Sequence, residues 1–316
     1  MRIVFMGTGD IAIPTFRALI NSGMKIVGLV TQPDRPVGRH QVMTPPPLKP
    51  LAIEAGIPVL QPESLRQAES VSELKELQPD LIIVMAYGQI LSQEVLDIAP
   101  KGCVNLHASL LPRHRGAACI QSAIDSGDNE IGVTLMHVVK KLDAGDIIAQ
   151  IKRPIKEGET GGVAHDDLAE MAAMLTLEQL PYLKSGELNR LPQDENLVTY
   201  APKLLREDGR LDWNMTAAQL ARRVRAYSPW PGTFTTYRDN KGKVSHLKIH
   251  PPVTVVDDAG APGSIILAEG DKLIIGCGKG ALKLEQVQPE GSKSMNVRSF
   301  ISGARHLTDS QLGIKE

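Results

Sequence analysis

The chain has 316 residues, 42% of them hydrophobic and 22% charged, so it is longer than one typical domain and too apolar to be disordered. No apolar run reaches the roughly 18 residues that a membrane-spanning helix needs. Three cysteines without C-x-x-C spacing argue against a disulfide framework and a thiolate zinc site, and the N-terminal segment lacks the features of a signal peptide. We therefore expect a cytoplasmic protein of two domains that makes no membrane contact.

Charge is distributed unevenly along the chain. The net charge is −1, but residues 1–208 carry −6 and residues 209–316 carry +5. A basic segment attached to an acidic one indicates contact with a large polyanion, and ordinary solvated surface charge explains the same numbers equally well.

The first half alternates short apolar runs with segments of helical periodicity. Strands that are apolar throughout belong to a sheet covered on both faces, and their alternation with helices predicts a Rossmann-like, doubly wound α/β domain with a mostly parallel sheet. The strands are predicted at residues 2–7, 25–32, 57–60, 80–88, 102–109, 132–139 and 147–155, the last a candidate antiparallel strand, and the helices at residues 13–23, 70–78, 92–99, 117–127 and 166–183.

The pattern changes towards the C-terminus. Proline-containing residues without periodicity predict a linker at 190–208, which separates a domain at 1–189 from one at 209–316. In the second domain a single helix precedes short strands that have turn residues and no helices between them, which predicts a small β-barrel. The helix is predicted at residues 216–227 and the strands at 233–238, 243–250, 263–270, 271–277 and 281–288.

The turn after the first predicted strand, GTGDIA, approximates the dinucleotide fingerprint G-x-G-x-x-G/A. A nicotinamide dinucleotide would also need an acidic ribose partner, but Asp34 lies among prolines about 25 residues beyond the turn. Pro14 stands in the first turn of the following helix, where proline is tolerated for structural reasons. We interpret the stretch as a plain strand-to-helix turn and expect no NAD.

Two polar residues interrupt the apolar stretch VNLHASLLPRHRGAA. Side chains alternate along a strand, so Asn105 and His107 share one face at the carboxyl end of the strand, where doubly wound sheets bind ligands. An amide can donate a hydrogen bond to a developing oxyanion while an imidazole moves a proton, and a carboxylate would orient that imidazole. The loop KKLDAGD, after the next strand, offers Asp143 and Asp146 for this role. A satisfied core histidine is an equally good interpretation of His107.

Other constellations around this histidine are weaker. Cys103 and His107 form a conceivable nucleophile pair, but Cys103 opens the strand and is better explained as a small apolar packing residue. The spacing of His107, His114 and His137 matches no compact zinc motif, so we expect no metal ion.

Two basic segments are candidates for nucleic-acid contact. The long proline-rich loop PDRPVGRHQVMTPPPLK carries Arg35, Arg39 and Lys49, and the helix predicted in the C-terminal domain carries Arg222 and Arg223. These cations can bind phosphates, or they can simply form a solvated loop and the wet face of a helix.

Several stretches resemble the folate-dependent formyltransferases. The element N-x-H-x-S-L-L-P followed by L-D-x-G-D, present here as NLHASLLP and LDAGD, is specific to that superfamily. The stretches TQPDRPVGR, TYAPKLLREDGRLDW and RAYSPWPGTF resemble the members that act on tRNA. The similarity runs from Arg2 to about Gly303, which is nearly the whole chain.

This resemblance implies a reaction of translation initiation. A formyl group would move from 10-formyltetrahydrofolate to the amino group of methionine on initiator tRNA, in an enzyme that we expect to be monomeric. Asn105 would stabilise the oxyanion, His107 would relay a proton from the amine toward the folate nitrogen, and Asp143 would bias the protonation of His107. An OB-like barrel within residues 209–316 and the Arg35–Lys49 loop would grip the acceptor stem. The folate-binding residues implied in this way are Tyr87, Gln89, Ile90, Ser109, Leu110, Leu111 and Pro112.

Two other functions stay open, and the chain departs from the family's usual pattern. Folate chemistry on a small amine, such as an amino sugar or a ribonucleotide amine, is one alternative, and an RNA-binding module on a degenerate scaffold is the other. Gly9 and Cys119 stand where prolines are usual, HQVM follows Arg39 where lysines are usual, and VVKK precedes Leu142 where an acidic residue and glycine are common. None of these departures removes a catalytic side chain.

Overall fold

The computed structural model describes residues 1–38, 40–239, 242–304, 307 and 311–314. Among these residues, no helix combines the length and the apolarity that a bilayer crossing requires. The helices and strands are, in chain order, β1 (Arg2–Gly7), α1 (Ile13–Asn21), β2 (Lys25–Val30), β3 (Arg35–Val37), β4 (Val42–Thr44), α2 (Leu48–Glu54), β5 (Val59–Leu60), α3 (Ala68–Glu76), β6 (Leu81–Met85), α4 (Gln93–Leu96), β7 (Cys103–His107), α5 (Cys119–Ser126), β8 (Glu130–His137), β9 (Ile147–Pro154), α6 (Gly161–Ser185), α7 (Ala217–Ala226), β10 (Thr233–Arg238), β11 (Val244–Val256), β12 (Ile265–Glu269), β13 (Lys272–Gly276), β14 (Ala281–Pro289), β15 (Met295–Asn296) and α8 (Val297–Gly303).

These elements form two compact units. The first unit contains residues 1–119, 130–153 and 165–201, and the second contains residues 120–129, 154–164 and 202–316.

The first unit is built on a seven-stranded sheet with the order β5-β2-β1-β6-β7-β8-β9. The first five of these strands are parallel to their neighbours, whereas β8 runs antiparallel to β7. Hydrogen bonds join His137 N–H to the Asp146 carbonyl at one end of β9 and Ile155 N–H to the Asn129 carbonyl at the other, so β9 is antiparallel to β8. The predicted Rossmann-like, mostly parallel sheet is confirmed.

Burial explains why the central strands read as continuous apolar runs. Every residue of β6 and five of the six residues of β1 are buried, because both faces of the sheet are covered. Val4 and Met6 pack on one face with residues of α3 and α4. On the opposite face Phe5 meets Phe16 of α1, with ring centroids 5.2 Å apart.

The strand order reverses between β1 and β6, and the loops that follow these two strands are tied together. The backbone N–H groups of Thr8 and Gly9 both donate to the Ala86 carbonyl, and the Thr8 hydroxyl donates to the Tyr87 carbonyl at 3.1 Å. In doubly wound sheets ligands bind at this reversal, outside the carboxyl ends of the strands. The carboxyl end of β7 lies along the same edge.

Several elements of the first unit carry no clear sequence pattern. The hairpin of β3 and β4 and the helix α2 lie in and just after the stretch that was predicted to be a loop. All six residues of the hairpin strands are exposed, so no alternation of apolar and polar residues indicates these strands in the sequence. The helix α6 begins at Gly161, before its predicted start at residue 166. Its first two residues are glycines, which have a low helix propensity, so the sequence pattern did not indicate this first turn.

The second unit contains the antiparallel strands predicted for the C-terminal part of the chain. Its sheet has the order β10-β11-β14-β13-β12, and β15 pairs with β14. The core packs Trp213, Leu220 of α7 and Phe300 of α8 with apolar residues of the strands. β11 continues beyond the predicted end at residue 250, because its register shifts between His250 and Val253 and accommodates two prolines there.

Candidate active site

His107 is the last residue of β7, and its imidazole is almost entirely buried, with 7% of the residue exposed. Nε2 lies 2.9 Å from the backbone carbonyl oxygen of His114. A carbonyl only accepts hydrogen bonds, so Nε2 carries the proton of this contact. Nδ1 lies 3.8 Å from Oδ2 of Asp143. The structure thus brings together the imidazole and the carboxylate that were paired from the sequence.

The route by which Asp143 reaches this position differs from the prediction. We placed Asp143 in the loop after the next strand and expected adjacent strand ends to bring this loop to the imidazole. That expectation is wrong, because β8 is antiparallel and its last residue, His137, pairs with Val104 at the start of β7. Asp143 comes from the loop between β8 and β9 and adopts a left-handed backbone conformation with φ of 47°. Its Oδ2 accepts a 2.8 Å hydrogen bond from the Gly116 N–H.

The surroundings of His107 favour its charged form. Burial by itself lowers the pKa of the imidazole, because desolvation penalises the cation. The Cys119 side chain, the Asp143 carboxylate and the His114 carbonyl act in the opposite direction and together raise the pKa to about 9. These surroundings therefore favour the protonated imidazole over the neutral one.

Asn105 lies two residues before His107 on β7, between Val84 of β6 and Met136 of β8. The alternation of side chains along the strand puts its amide on the same face as the imidazole. It is only partly buried, whereas the residues on either side of it are fully buried. The amide is thus accessible at the sheet edge, where it can donate a hydrogen bond.

The segment after β7, residues 109–112, lies beside this edge and alternates buried with partly exposed residues. The Ser109 hydroxyl donates to the Arg113 carbonyl at 2.8 Å, and the Leu111 N–H donates to the Thr134 hydroxyl at 3.1 Å. Leu111 packs with apolar residues of β8 and β9. Leu110 and Pro112 stay partly exposed. Of the predicted folate-binding residues in this segment, Leu110 and Pro112 are therefore accessible, and Ser109 and Leu111 support them.

The predicted folate-binding loop after β6 is accessible only in part. The ring of Tyr87 is 2% exposed and belongs to the apolar core, so its side chain is not accessible, and its role in folate binding stays a prediction. The Gln89 amide accepts from the Leu65 N–H and donates to the Pro62 carbonyl, which fixes the neighbouring loop. Ile90 is 67% exposed and is the member of this group that can meet a ligand directly.

The basic loop residues predicted to bind tRNA have partners within the loop region. Lys49 forms a 2.9 Å ion pair with Asp34, and Arg35 forms a 2.7 Å ion pair with Glu63. The ion pair of Arg35 with Glu63 is well exposed and so contributes little to stability. The Arg35 guanidinium can therefore leave Glu63 for another anion. Arg39 lies outside the described residues.

The two arginines of α7 both contact Asp125 at the end of α5. Arg222 donates from Nε to the Asp125 carbonyl at 3.0 Å, and Arg223 forms a 2.9 Å ion pair with the Asp125 carboxylate. About three quarters of the Arg223 side chain is buried in this contact. These bonds account for both arginines as packing residues, and their predicted role in tRNA binding stays a prediction.

Sequence reasoning missed two side chains that support the site, Arg115 and Gln193. Arg115 is 0% exposed, although it stands in the polar end of the stretch that carries His107. Gln193 lies in the segment that was interpreted only as a linker. The two arginines of PRHRGAA, which flank His114, were the one available signal, since nothing in the local pattern relates residue 193 to the site. Among the described residues, no group of three His, Cys, Asp or Glu side chains could hold a metal ion.

The close approach at Gly116 allows a prediction about stability. Its φ is 117°, and an added Cβ would lie 2.5 Å from the Ala201 carbonyl oxygen. We expect Gly116→Ala to lower the free energy of unfolding by about 1–3 kcal/mol, measured by urea denaturation, because both the backbone conformation and the contact would be strained. Gly9→Ala is the matched control, since Gly9 has a φ of −73° and the nearest atom would be 3.4 Å away. Equal stability of the two variants would contradict this explanation by strain.

Comparison with known protein families agrees with this fold and site. The formyl transferase family matches residues 1–180, and the C-terminal domain of formyl transferases matches residues 203–305. The chain therefore belongs to the formyl transferase family.

A close relative has a more specific name. The chain is 58% identical over 310 residues to a protein of Akkermansia muciniphila named methionyl-tRNA formyltransferase, and the match covers 98% of each chain.

Two solved structures share the fold at low identity. An N-formyltransferase of Helicobacter canadensis, in complex with folinic acid and dTDP-3-aminofucose, matches with a TM-score of 0.65 at 17% identity and covers 93% of this chain and 99% of its own. HypX of Aquifex aeolicus, in complex with tetrahydrofolic acid, matches with a TM-score of 0.61 at 20% identity. That match covers 95% of this chain and 47% of HypX.

Proposed function

We propose that this protein transfers the formyl group of 10-formyltetrahydrofolate to the amino group of methionine on initiator tRNA. The observation that carries the proposal is the pairing of His107 with Asp143 beside Asn105, in a chain 58% identical to a relative named methionyl-tRNA formyltransferase. The three side chains combine a hydrogen-bond donor, an acid and a carboxylate, which is the set that acyl transfer to an amine requires. A role in translation initiation would place the protein in the cytoplasm.

The residues at the sheet edge fit a flat, largely apolar ligand with polar edges. Leu110, Pro112 and Ile90 are accessible apolar side chains, and the exposed Gly88 leaves the neighbouring backbone uncovered. We propose that these residues hold the folate and that the buried Ser109 and Leu111 keep them in place. Bound 10-formyltetrahydrofolate would supply the formyl carbon that the acceptor amine attacks.

The chain's own polar groups would divide the chemistry among them. Asn105 would donate a hydrogen bond to the formyl oxygen as that atom gains negative charge. His107, held as a cation, would donate a proton to the nitrogen that leaves and then accept one from the attacking amine. Asp143 would keep the imidazole in its charged form and so restore it after each turnover. All three groups belong to one chain, so a monomer suffices to complete the site.

The C-terminal segment and the basic loop are proposed to bind the tRNA. Residues 209–316 carry a net charge of +5, which suits the phosphate backbone of an acceptor stem. In the loop, Arg35 is exposed and held only by a surface ion pair, so a phosphate can replace Glu63 as its partner. We include Arg39, Lys49, Arg222 and Arg223 in this proposal.

A transfer assay with two acceptors tests this function. We expect the purified protein, given 10-formyltetrahydrofolate, to convert methionyl initiator tRNA to its formyl-methionyl form, with a kcat/KM at least about 10³-fold higher than for a dTDP-linked amino sugar. The reason is that only the large polyanion can use the basic surfaces outside the sheet edge. Product from the amino sugar alone would assign the protein to small amines. RNA binding without product from either acceptor would indicate a binding module.

A further inference from the structure

The segment after α6 reaches back to the loop that carries Asp143. The side-chain amide of Gln193 donates from Nε2 to two backbone carbonyls of that loop, those of Asp143 and Gly145, at 2.8 Å each. Gln193 and Asp143 are 50 residues apart in the chain. Two hydrogen bonds from a single amide nitrogen therefore hold the backbone on either side of Ala144.

Arg115 determines which way the Gln193 amide points. Its Nε and Nη2 lie 3.1 and 2.8 Å from Oε1 of Gln193, and Nη2 also donates to the Glu195 carboxylate at 3.0 Å. A guanidinium has no acceptor, so it can face only the oxygen of the amide. The nitrogen of the amide must then face the Asp143 loop. The Arg115 side chain is 0% exposed, so this orientation is enforced inside the protein.

Asp143 depends on its backbone for its position. Its φ of 47° is uncommon for a residue other than glycine and persists only where the surroundings impose it. The carboxylate is 3.8 Å from the imidazole, too far for a direct hydrogen bond, so the Gly116 N–H is its hydrogen-bond donor. A small shift of the loop would change the distance between the Asp143 carboxylate and the imidazole, and with it the contribution of Asp143 to the raised pKa of His107.

We propose that Gln193 is a positioning residue, which holds the Asp143 carboxylate at its working distance from His107 through the backbone of the loop. The inference rests on the proposed function, because it assigns Gln193 to the same reaction. Glu195 also reaches the loop, through a 2.7 Å ion pair with Lys141, but more than half of both side chains is exposed and that pair contributes little. The partly buried amide of Gln193, oriented by the fully buried Arg115 guanidinium, carries the effect.

Two substitutions of Gln193 test the proposal by steady-state kinetics. Gln193→Ala removes both hydrogen bonds to the loop. Gln193→Glu keeps an acceptor for Arg115, which protects the fold, but turns oxygen atoms toward the two carbonyls. We expect both variants to lower kcat about tenfold or more and to change KM for either substrate less than about threefold, since misplacement of the catalytic groups affects turnover rather than binding. Asn196→Ala is the control, because within the described part of the chain the Asn196 amide bonds to Asp194 of the same turn and not to the Asp143 loop.

A titration separates positioning from a merely structural role. The groups that face His107 are the Cys119 side chain at the start of α5, the Asp143 carboxylate and the His114 carbonyl. If the loop relaxes in Gln193→Ala, the carboxylate moves away and the pKa of His107 falls, in the same direction as in Asp143→Asn. NMR titration of the imidazole measures this without substrates, so it remains informative even if the transfer assay fails.

The combination with Asp143→Asn completes the test. Because Gln193 is proposed to act through Asp143, the losses in kcat of the two single variants should not multiply in Gln193→Ala/Asp143→Asn. Three results would overturn the proposal. They are losses in kcat that multiply in the double variant, an unchanged pKa of His107 in Gln193→Ala, and a kcat within twofold of the parent in both Gln193 variants. Failure of the parent protein to formylate any acceptor would overturn the proposed function and leave the titration as the test of positioning.

Discussion

Replacing His107 by alanine is expected to lower kcat for formyl transfer about 10²- to 10⁴-fold, with binding of folate and of tRNA nearly unchanged. The imidazole is the proposed proton donor of the site, and its surroundings raise its pKa to about 9. The residues proposed to bind folate and tRNA do not depend on it. Single-turnover kinetics measures the loss, and equilibrium binding of each substrate measures what is retained.

Two further variants make this prediction specific. His107→Gln keeps a side-chain N–H that can reach the His114 carbonyl, so it should fold normally and still lose the activity. His165→Ala removes a histidine of α6 whose ring contacts Asp10 and Asp166 instead, and it should keep full activity. Retention of most of the activity in His107→Gln would contradict the role of the imidazole as a proton donor.

Asp143→Asn is expected to lower kcat about 10²-fold and to shift the pH dependence of kcat to lower pH. Burial opposes the imidazolium, and Cys119, Asp143 and the His114 carbonyl overcome that penalty to raise the pKa of His107 to about 9. Removing the carboxylate's charge removes part of the compensation, so the pKa falls and less imidazolium is present at a given pH. The measurement is kcat between pH 6 and 10 for the parent and the variant.

The same shift has a consequence for stability. His107 has a raised pKa in the folded state, so its contribution to the free energy of unfolding is fully present below the unfolded value of 6.5 and is lost as the pH rises through about 9. Asp143→Asn should therefore reduce the pH dependence of urea denaturation in this window. The side-chain amide of this variant would still offer an oxygen to the Gly116 N–H, which protects the backbone.

Asp146→Asn is the control for this prediction, because Asp146 lies in the same loop and was the alternative carboxylate. Asp146 pairs with Arg190 at 3.9 Å, and the groups that raise the pKa of His107 are instead Cys119, Asp143 and the His114 carbonyl. We expect neither its activity nor its pH dependence to change. A shift in Asp146→Asn that is absent from Asp143→Asn would exchange the roles of the two carboxylates.

The strands and the amide–imidazole pair follow from local rules. Continuous apolar runs predicted β1, β2 and β6, because a strand buried on both faces has no polar side. The alternation of side chains put Asn105 and His107 on one face, and the carboxyl end of the strand is where such sheets bind ligands. The exposed hairpin of β3 and β4 was not predicted, because strands that bury no face need no regular spacing of apolar residues.

The arrangement around Asp143 required the tertiary structure. The sequence identified the carboxylate, but it did not show that β8 is antiparallel, so the expected route from a strand end was wrong. Tyr87 is a second example. Its place in the loop after β6 follows from the sequence, but the packing of the whole core determines that its ring points inward.

By itself the sequence determined which side chains could do the chemistry and on which elements they stand, because strand periodicity and residue type act over a few residues. Only the tertiary structure decided what surrounds them. The partners of Asp143 are Gly116, 27 residues away, and Gln193, 50 residues away, and Gln193 is itself oriented by a buried arginine 78 residues away. Contacts over such separations are set by the packing of the complete chain, so no local pattern could have shown them.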